Sequence, residues 1–270
     1  MKKAMLGTLV CFHAHPDDET IATGGVIARE AAAGRRVVLV VATGGELGEV
    51  DDGFLEPGET LAERRAAEVA RAAEILGISS VQFLGYRDSG MAGLPENDEP
   101  GSFWTADVNE ASERLAAILR AENAEVLTIY DDNGGYGHPD HIQVHRVGVQ
   151  AAALAGTPRV YETTMNADAI SQMMRANWEA FKSAGIDMPG GVEDPDDIKI
   201  GVPESQITTS VDVSDFVDRK RAALVEHASQ VGESSFFLAM PVEMFREAFG
   251  TEWFIRRGAA PGLKETSLFD

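Results

Sequence analysis

The run Val37-Val38-Leu39-Val40-Val41-Ala42-Thr43 constrains the fold more than any other stretch of this chain. It holds no polar side chain until its last position, so neither face of an extended segment there could meet water. Its β-branched residues favour extended backbone. A strand apolar on both faces belongs inside a parallel sheet with helices packed against both sides. The neighbouring segments supply that setting. Strands are predicted over 8–13, 81–84, 126–130 and 160–163, and helices over 20–33, 61–76, 106–121 and 142–155, with Gly34 and Gly77 as helix stops. Strand and helix alternate, which is the rhythm of a parallel α/β sheet.

Beyond residue 163 the pattern loosens. A helix is predicted over 167–184, a loop rich in Gly, Pro and Asp over 185–201, a strand over 207–213 and a helix over 216–229. No internal repeat or long linker divides the chain, so one domain over 1–270 is expected, with a core of about 1–163 and a C-terminal α/β elaboration of about 164–270. The 44 acidic residues against 23 Lys and Arg leave a formal charge of −21. That field repels nucleic-acid phosphate and anionic lipid, so neither is an expected partner. Cys11 is the only cysteine, which excludes an internal disulfide and a cysteine-built metal site; it reads as a small core residue. Met1-Lys2-Lys3 and the apolar segment to Phe12 imitate a signal peptide, but no small-residue cleavage site follows and no run of 18 apolar residues exists. A cytoplasmic protein is expected.

The histidines carry the functional signal. Five of the six fall in two short clusters, His13 and His15, then His138, His141 and His145. Each cluster follows a predicted strand and opens a predicted helix, and open parallel sheets bind ligands at the carboxyl ends of their strands. In His15-Pro16-Asp17-Asp18-Glu19, proline suits a first helical position and acidic residues a first turn, yet that capping chemistry leaves the histidine unexplained. His138-Pro139-Asp140-His141 repeats the pattern. Together His15, Asp18 and His141 offer two imidazoles and a carboxylate, an open N/O set that suits zinc, with iron(II) as the competitor. A divalent ion there lowers the pKa of water from about 15.7 to about 7. Asp17, adjacent to a ligand without being needed as one, could accept the proton of that water. Helix capping is its structural alternative.

Ala14-His15-Pro16-Asp17-Asp18-Glu19 and His138-Pro139-Asp140-His141 resemble the two motifs of the LmbE-like, or PIG-L, N-deacetylase family. The resemblance implies a Rossmann-like, mostly parallel α/β fold. It also implies zinc-dependent hydrolysis of N-acetyl groups, with a small N-acetylglucosaminyl molecule as substrate. It places the metal on His15, Asp18 and His141 and makes Asp17 the general base. His138 would stabilise the oxyanion and could protonate the leaving amine, and Asp140 would hydrogen-bond His138 and raise its pKa, favouring the imidazolium. Tyr136, within Gly134-Gly135-Tyr136-Gly137, resembles a mobile tyrosine of the mycothiol-pathway branch that polarises the substrate carbonyl.

Softer matches follow. Tyr86-Arg87-Asp88-Ser89-Gly90-Met91 is similar to a substrate loop of that branch, which points to Asp88 and Met91 as substrate contacts. Arg65 and Glu68 resemble a helix motif whose arginine reaches the substrate; a solvated i,i+3 pair is the other reading. Glu46 and Glu49 follow the second strand at the ligand-binding edge, and Glu46 is counted with the substrate contacts. His227 and Gln230 match an H-x-S-Q pattern, with packing as the alternative. His145 reads as a satisfied helix residue rather than a fourth ligand, and His13 as packing behind the site. The competing functions are a mycothiol S-conjugate amidase, with Phe103 and Trp104 as pocket residues or loop anchors, a non-catalytic glycan-binding protein, and an iron(II) oxygenase. A homo-oligomer stays open.

Overall fold

The computed structural model describes residues 6–183, 192–198, 200–260 and 262–270. Its strands are β1 (Thr8–His13), β2 (Arg36–Thr43), β3 (Ser80–Tyr86), β4 (Ala124–Tyr130), β5 (Arg159–Thr164), β6 (Thr209–Asp212) and β7 (Thr251–Arg256). They form one sheet in the order β3-β2-β1-β4-β5-β7-β6. The first five pair in parallel, while β7 runs antiparallel to both β5 and β6. The helices are α1 (Asp18–Ala32), α2 (Leu61–Leu76), α3 (Val108–Ala121), the distorted turn α4 (Gly134–Gly137), α5 (Pro139–Ala155), α6 (Ala167–Ser183), α7 (Val217–Glu226), α8 (Phe236–Ala239) and α9 (Val242–Phe249). The expected α/β sheet with a C-terminal elaboration is what the chain adopts.

Strand β2 is buried from Val37 through Thr43, and its alternation feeds two cores. Val38, Val40 and Ala42 join Val10, Phe12, Leu115 and Val147 beneath α3 and α5; Val37, Leu39 and Val41 join Leu9, Cys11, Val26 and Val69 beneath α1 and α2. On α5 the absence of a side chain at Gly148 lets the helix lie against β4, since a Cβ there would stand 2.4 Å from Ile129. From β1 the chain winds one way to β2 and β3, whereas β4 and β5 lie on the other side. The carboxyl ends of β1 and β4 therefore flank the switch point, where such sheets open a crevice.

The C-terminal half departs from expectation. Nothing beyond Ser229 is predicted as regular, yet β7 inserts between β5 and β6. Its inward positions include Glu252, a buried charge that hides the apolar alternation of a half-buried strand. That carboxylate accepts the backbone N–H groups of Gly25 and Val26 at 2.8 Å each and the Lys220 ammonium at 2.7 Å. Met174, Trp178, Phe181, Leu224 and Phe245 form a third core there. The predicted helix end at Ala184, residues 185–191 of the predicted loop and the charged start over 1–5 lie outside the described residues. Among the described residues no helix is long and apolar enough to cross a membrane.

Candidate metal centre

Because β1 and β4 are neighbours, the segments leaving them meet. The His15 and His141 rings come within 5.4 Å of each other between centroids. His15 Nδ1 and His141 Nε2 each lie 3.4 Å from the same oxygen of Asp18. Among the described residues His141 Nε2 is buried without a hydrogen-bond partner, a state that protein interiors avoid because the lost hydration goes uncompensated. Two imidazole nitrogens and a carboxylate oxygen in one pocket fit a divalent cation. Charge agrees with this. Burial would raise the Asp18 carboxyl, but His141 and His15 outweigh it and hold it well below the usual range. Burial would likewise lower His15, but its bonds to Asp140, Asp18 and Asp88 push it well above 6.5. The pocket demands positive charge.

A second trio, His15, His138 and Asp140, is also close enough to share an ion, but its atoms are already engaged. Asp140 accepts the Ser89 backbone N–H at 3.0 Å and the Ser89 hydroxyl. Its carboxylate also meets His15 Nε2 at 3.2 Å, and Asp88 lies 3.5 Å from that nitrogen. Carboxylates on one imidazole nitrogen orient the other toward a metal, so this group is a support for His15 Nδ1.

Here one expectation is corrected. Asp140 does not bond the His138 ring through its carboxylate. His138 is the N-cap of α5, and its Nδ1 accepts the backbone N–H of Asp140 at 3.1 Å. Pro139 sets the first helical position, and Asp140 points from the next toward Ser89. The Asp140 charge does raise His138, as expected, but burial, then His15 and His141, outweigh it and push the ring down to about 4. With Nδ1 accepting, the neutral ring carries its proton on Nε2.

Asp17 precedes α1 with φ 115°, a conformation that L residues rarely adopt and that local structure must enforce. Arg65 Nη2 lies 3.1 Å from its carboxylate and donates to Pro16 O at 2.5 Å, while Nη1 donates to Gly45 O at 2.8 Å. Burial pushes Asp17 up to about 6 against the pull of Arg65. Arg65 and Glu68 are both buried, so the solvated-pair reading is set aside, and Nη1 and Nη2 of the guanidinium are engaged by the protein. Glu68 accepts the N–H and hydroxyl of Ser229 at 2.9 and 2.6 Å.

Glu46 accepts the Asp88 N–H at 3.2 Å, and Asp88 in turn accepts those of Gly90 and Leu47 at 2.8 and 3.3 Å. These two acids lock neighbouring loops together. Met91 is 48% exposed and Tyr136 58% exposed. The Tyr136 ring stands 4.9 Å from that of His141 and 6.2 Å from that of His138. Desolvation, then the carboxylates of Asp18, Asp17 and Asp88, raise its phenol pKa, so it keeps its proton. Gly134, at φ 64°, packs where a Cβ would fall 2.6 Å from that of His141, so only glycine fits there.

His145 bonds Tyr130 O at 3.0 Å and stands 3.5 Å from Glu162, outside the trio. Phe103 is wholly buried against Phe12, which fits the anchor reading. Three residues take roles that the sequence does not assign them. Ser89 fixes Asp140. Tyr130 stacks on His141 at 4.2 Å and bonds His13 Nδ1 through its hydroxyl at 2.9 Å. Glu19 bonds the Asp17 N–H at 3.0 Å. Tyr130 closes a strand directly before the crevice, and that position was its one available signal.

A model of the GlcNAc-PI de-N-acetylase (PIG-L) family matches residues 10–152. The chain is 42% identical to the 1D-myo-inositol 2-acetamido-2-deoxy-alpha-D-glucopyranoside deacetylase of Thermobifida fusca, over 97% of this chain and 98% of that one. Its fold is like that of the N,N'-diacetylchitobiose deacetylase of Pyrococcus horikoshii, with 21% identity, TM-score 0.57, and 94% and 84% of the two chains covered. It is also like that of the 4-carboxy-2-hydroxymuconate hydratase GalB of Pseudomonas putida, with 20% identity, TM-score 0.61, and 94% and 98% covered. One fold thus carries two chemistries, and function has to be argued from the site. Both sequence motifs, and the family match spanning them, lead to one assignment: the chain belongs to the PIG-L family.

Proposed function

We propose that the chain is a zinc-dependent hydrolase that removes the acetyl group from an N-acetylglucosaminyl molecule of the kind its Thermobifida fusca relative is named for. The observation that carries this reading is Asp17, an acid left off the ligand trio, next in the chain to Asp18 and held by Arg65 at 3.1 Å. A zinc ion on His15, Asp18 and His141 would lower the pKa of water to about 7 and polarise the acetamide carbonyl. Asp17 takes a proton from the water that attacks the carbonyl carbon. His138 Nε2–H donates to the oxyanion as a neutral ring, and Tyr136 adds a second donor from the rim. When the C–N bond breaks, Asp17 returns the proton to the departing nitrogen, giving acetate and a free amine. Asp88, 3.5 Å from His15, with Glu46 and Met91 from the interlocked loops, would contact the sugar.

Two variants separate these roles. His138→Ala is expected to lower kcat by about 10²–10³ while retaining zinc; near-parental kcat would remove it from oxyanion binding. Asp140→Ala is expected to weaken zinc binding by about 10–100-fold through His15, read by isothermal titration. Unchanged affinity would show that the carboxylate does not support the ion. The substrate class is tested by amine release from the inositol glycoside, N,N'-diacetylchitobiose and free N-acetylglucosamine. The proposal predicts release from at least the first; no release from any of them by zinc-loaded protein would end it.

A further inference from the structure

The peptide plane between Pro16 and Asp17 is gripped at both ends. Arg65 holds its carbonyl oxygen at 2.5 Å, and Glu19 Oε2 accepts its N–H at 3.0 Å. The other oxygen of Glu19 accepts the Thr20 hydroxyl at 2.6 Å and meets His227 Nε2 at 2.8 Å. Glu19 and His227 are buried, and His227 Nδ1 has no partner among the described residues, so the ring is held through Nε2, by Glu19 and by the Thr20 hydroxyl at 3.3 Å. The same turn of chain braces the second jaw. Ser229 binds Glu68, one turn from Arg65 on α2, and Gln230 donates to Glu49 O at 3.0 Å in the loop after β2.

We infer that residues 227–230 are a positioning element for Asp17, acting through a Glu19–Arg65 clamp on the 16–17 peptide. Asp17 holds φ 115° only while that plane cannot rotate. Released, the residue relaxes toward negative φ and swings its carboxylate away from the water it must deprotonate. A plain packing role explains none of this selectivity, because a buried His–Glu pair is readily replaced by apolar residues where only stability is at stake. The inference rests on the reading of Asp17 as the base.

The test is a double-mutant cycle of His227→Ala with Asp17→Asn, with kcat, KM and bound zinc measured for each protein. His227→Ala is expected to lower kcat by about tenfold to a hundredfold, with KM and zinc content within about twofold of the parent. His227→Gln, which keeps a donor at the Nε2 position, recovers most of the loss. In the Asp17→Asn background His227→Ala changes the residual rate little. The inference is overturned by parental kcat in His227→Ala, by equal losses in both backgrounds, or by a loss that tracks departing zinc. If His227→Ala does not fold, Glu19→Gln takes its place with the same expectations. Parental turnover in Asp17→Asn alone would remove the base reading itself, whereas a normal His227→Ala beside an inactive Asp17→Asn removes only the clamp.

Discussion

Asp17→Asn is expected to bind zinc and substrate as the parent does and to lose about 10²–10⁴ in kcat. The amide keeps the side chain's size and its reach to Arg65 but cannot take a proton. The pH dependence follows with a definite sign. Burial holds the Asp17 carboxyl up to about 6, and the base works only when ionised. Parental kcat/KM therefore falls as pH drops through that region. A bound divalent cation favours the carboxylate, so it moves this acid limb lower and never higher. The limb is absent from the residual activity of Asp17→Asn. A variant that kept the parental rate and the parental limb would place the base elsewhere.

His141→Ala is expected to weaken zinc binding more than any loss of a supporting group, by well over about 100-fold, and to lower activity at limiting zinc in proportion. It removes a buried nitrogen of the trio that has no hydrogen-bond partner among the described residues, and it takes away the ring on which Tyr130 stacks. Competition against a coloured chelator reads the affinity directly. Tight, stoichiometric zinc in His141→Ala would mean that the ion sits in the second trio, on His138 and Asp140, and that the two groups have been assigned the wrong way round.

The parts of this molecule that sequence disclosed are those where chemistry and periodicity agree. Val37 to Val41 announced a covered strand because no residue in the run tolerates water. His15, Asp18 and His141 announced a site because the proline and acids around them account for helix starts and leave His15 and His141 without a role there. What stayed hidden depends on which distant segments meet. Asp140 and Ser89 are 51 positions apart, and nothing in either tetrapeptide says that the carboxylate turns to Ser89 and His15 instead of to His138. Arg65 and Glu68 have the spacing of a surface pair, and only packing against Pro16, Gly45 and Ser229 buries them. Strand β7 escaped for a related reason: Glu252 faces inward because Lys220 and two helical N–H groups are there to receive it.

The measurement that bears most directly on this account is a zinc titration of chelator-stripped protein, following amine release from 1D-myo-inositol 2-acetamido-2-deoxy-alpha-D-glucopyranoside. The account predicts no release from the stripped protein and full activity on addition of one equivalent of zinc. Undiminished release from the stripped protein, or none from the fully loaded one, would contradict it.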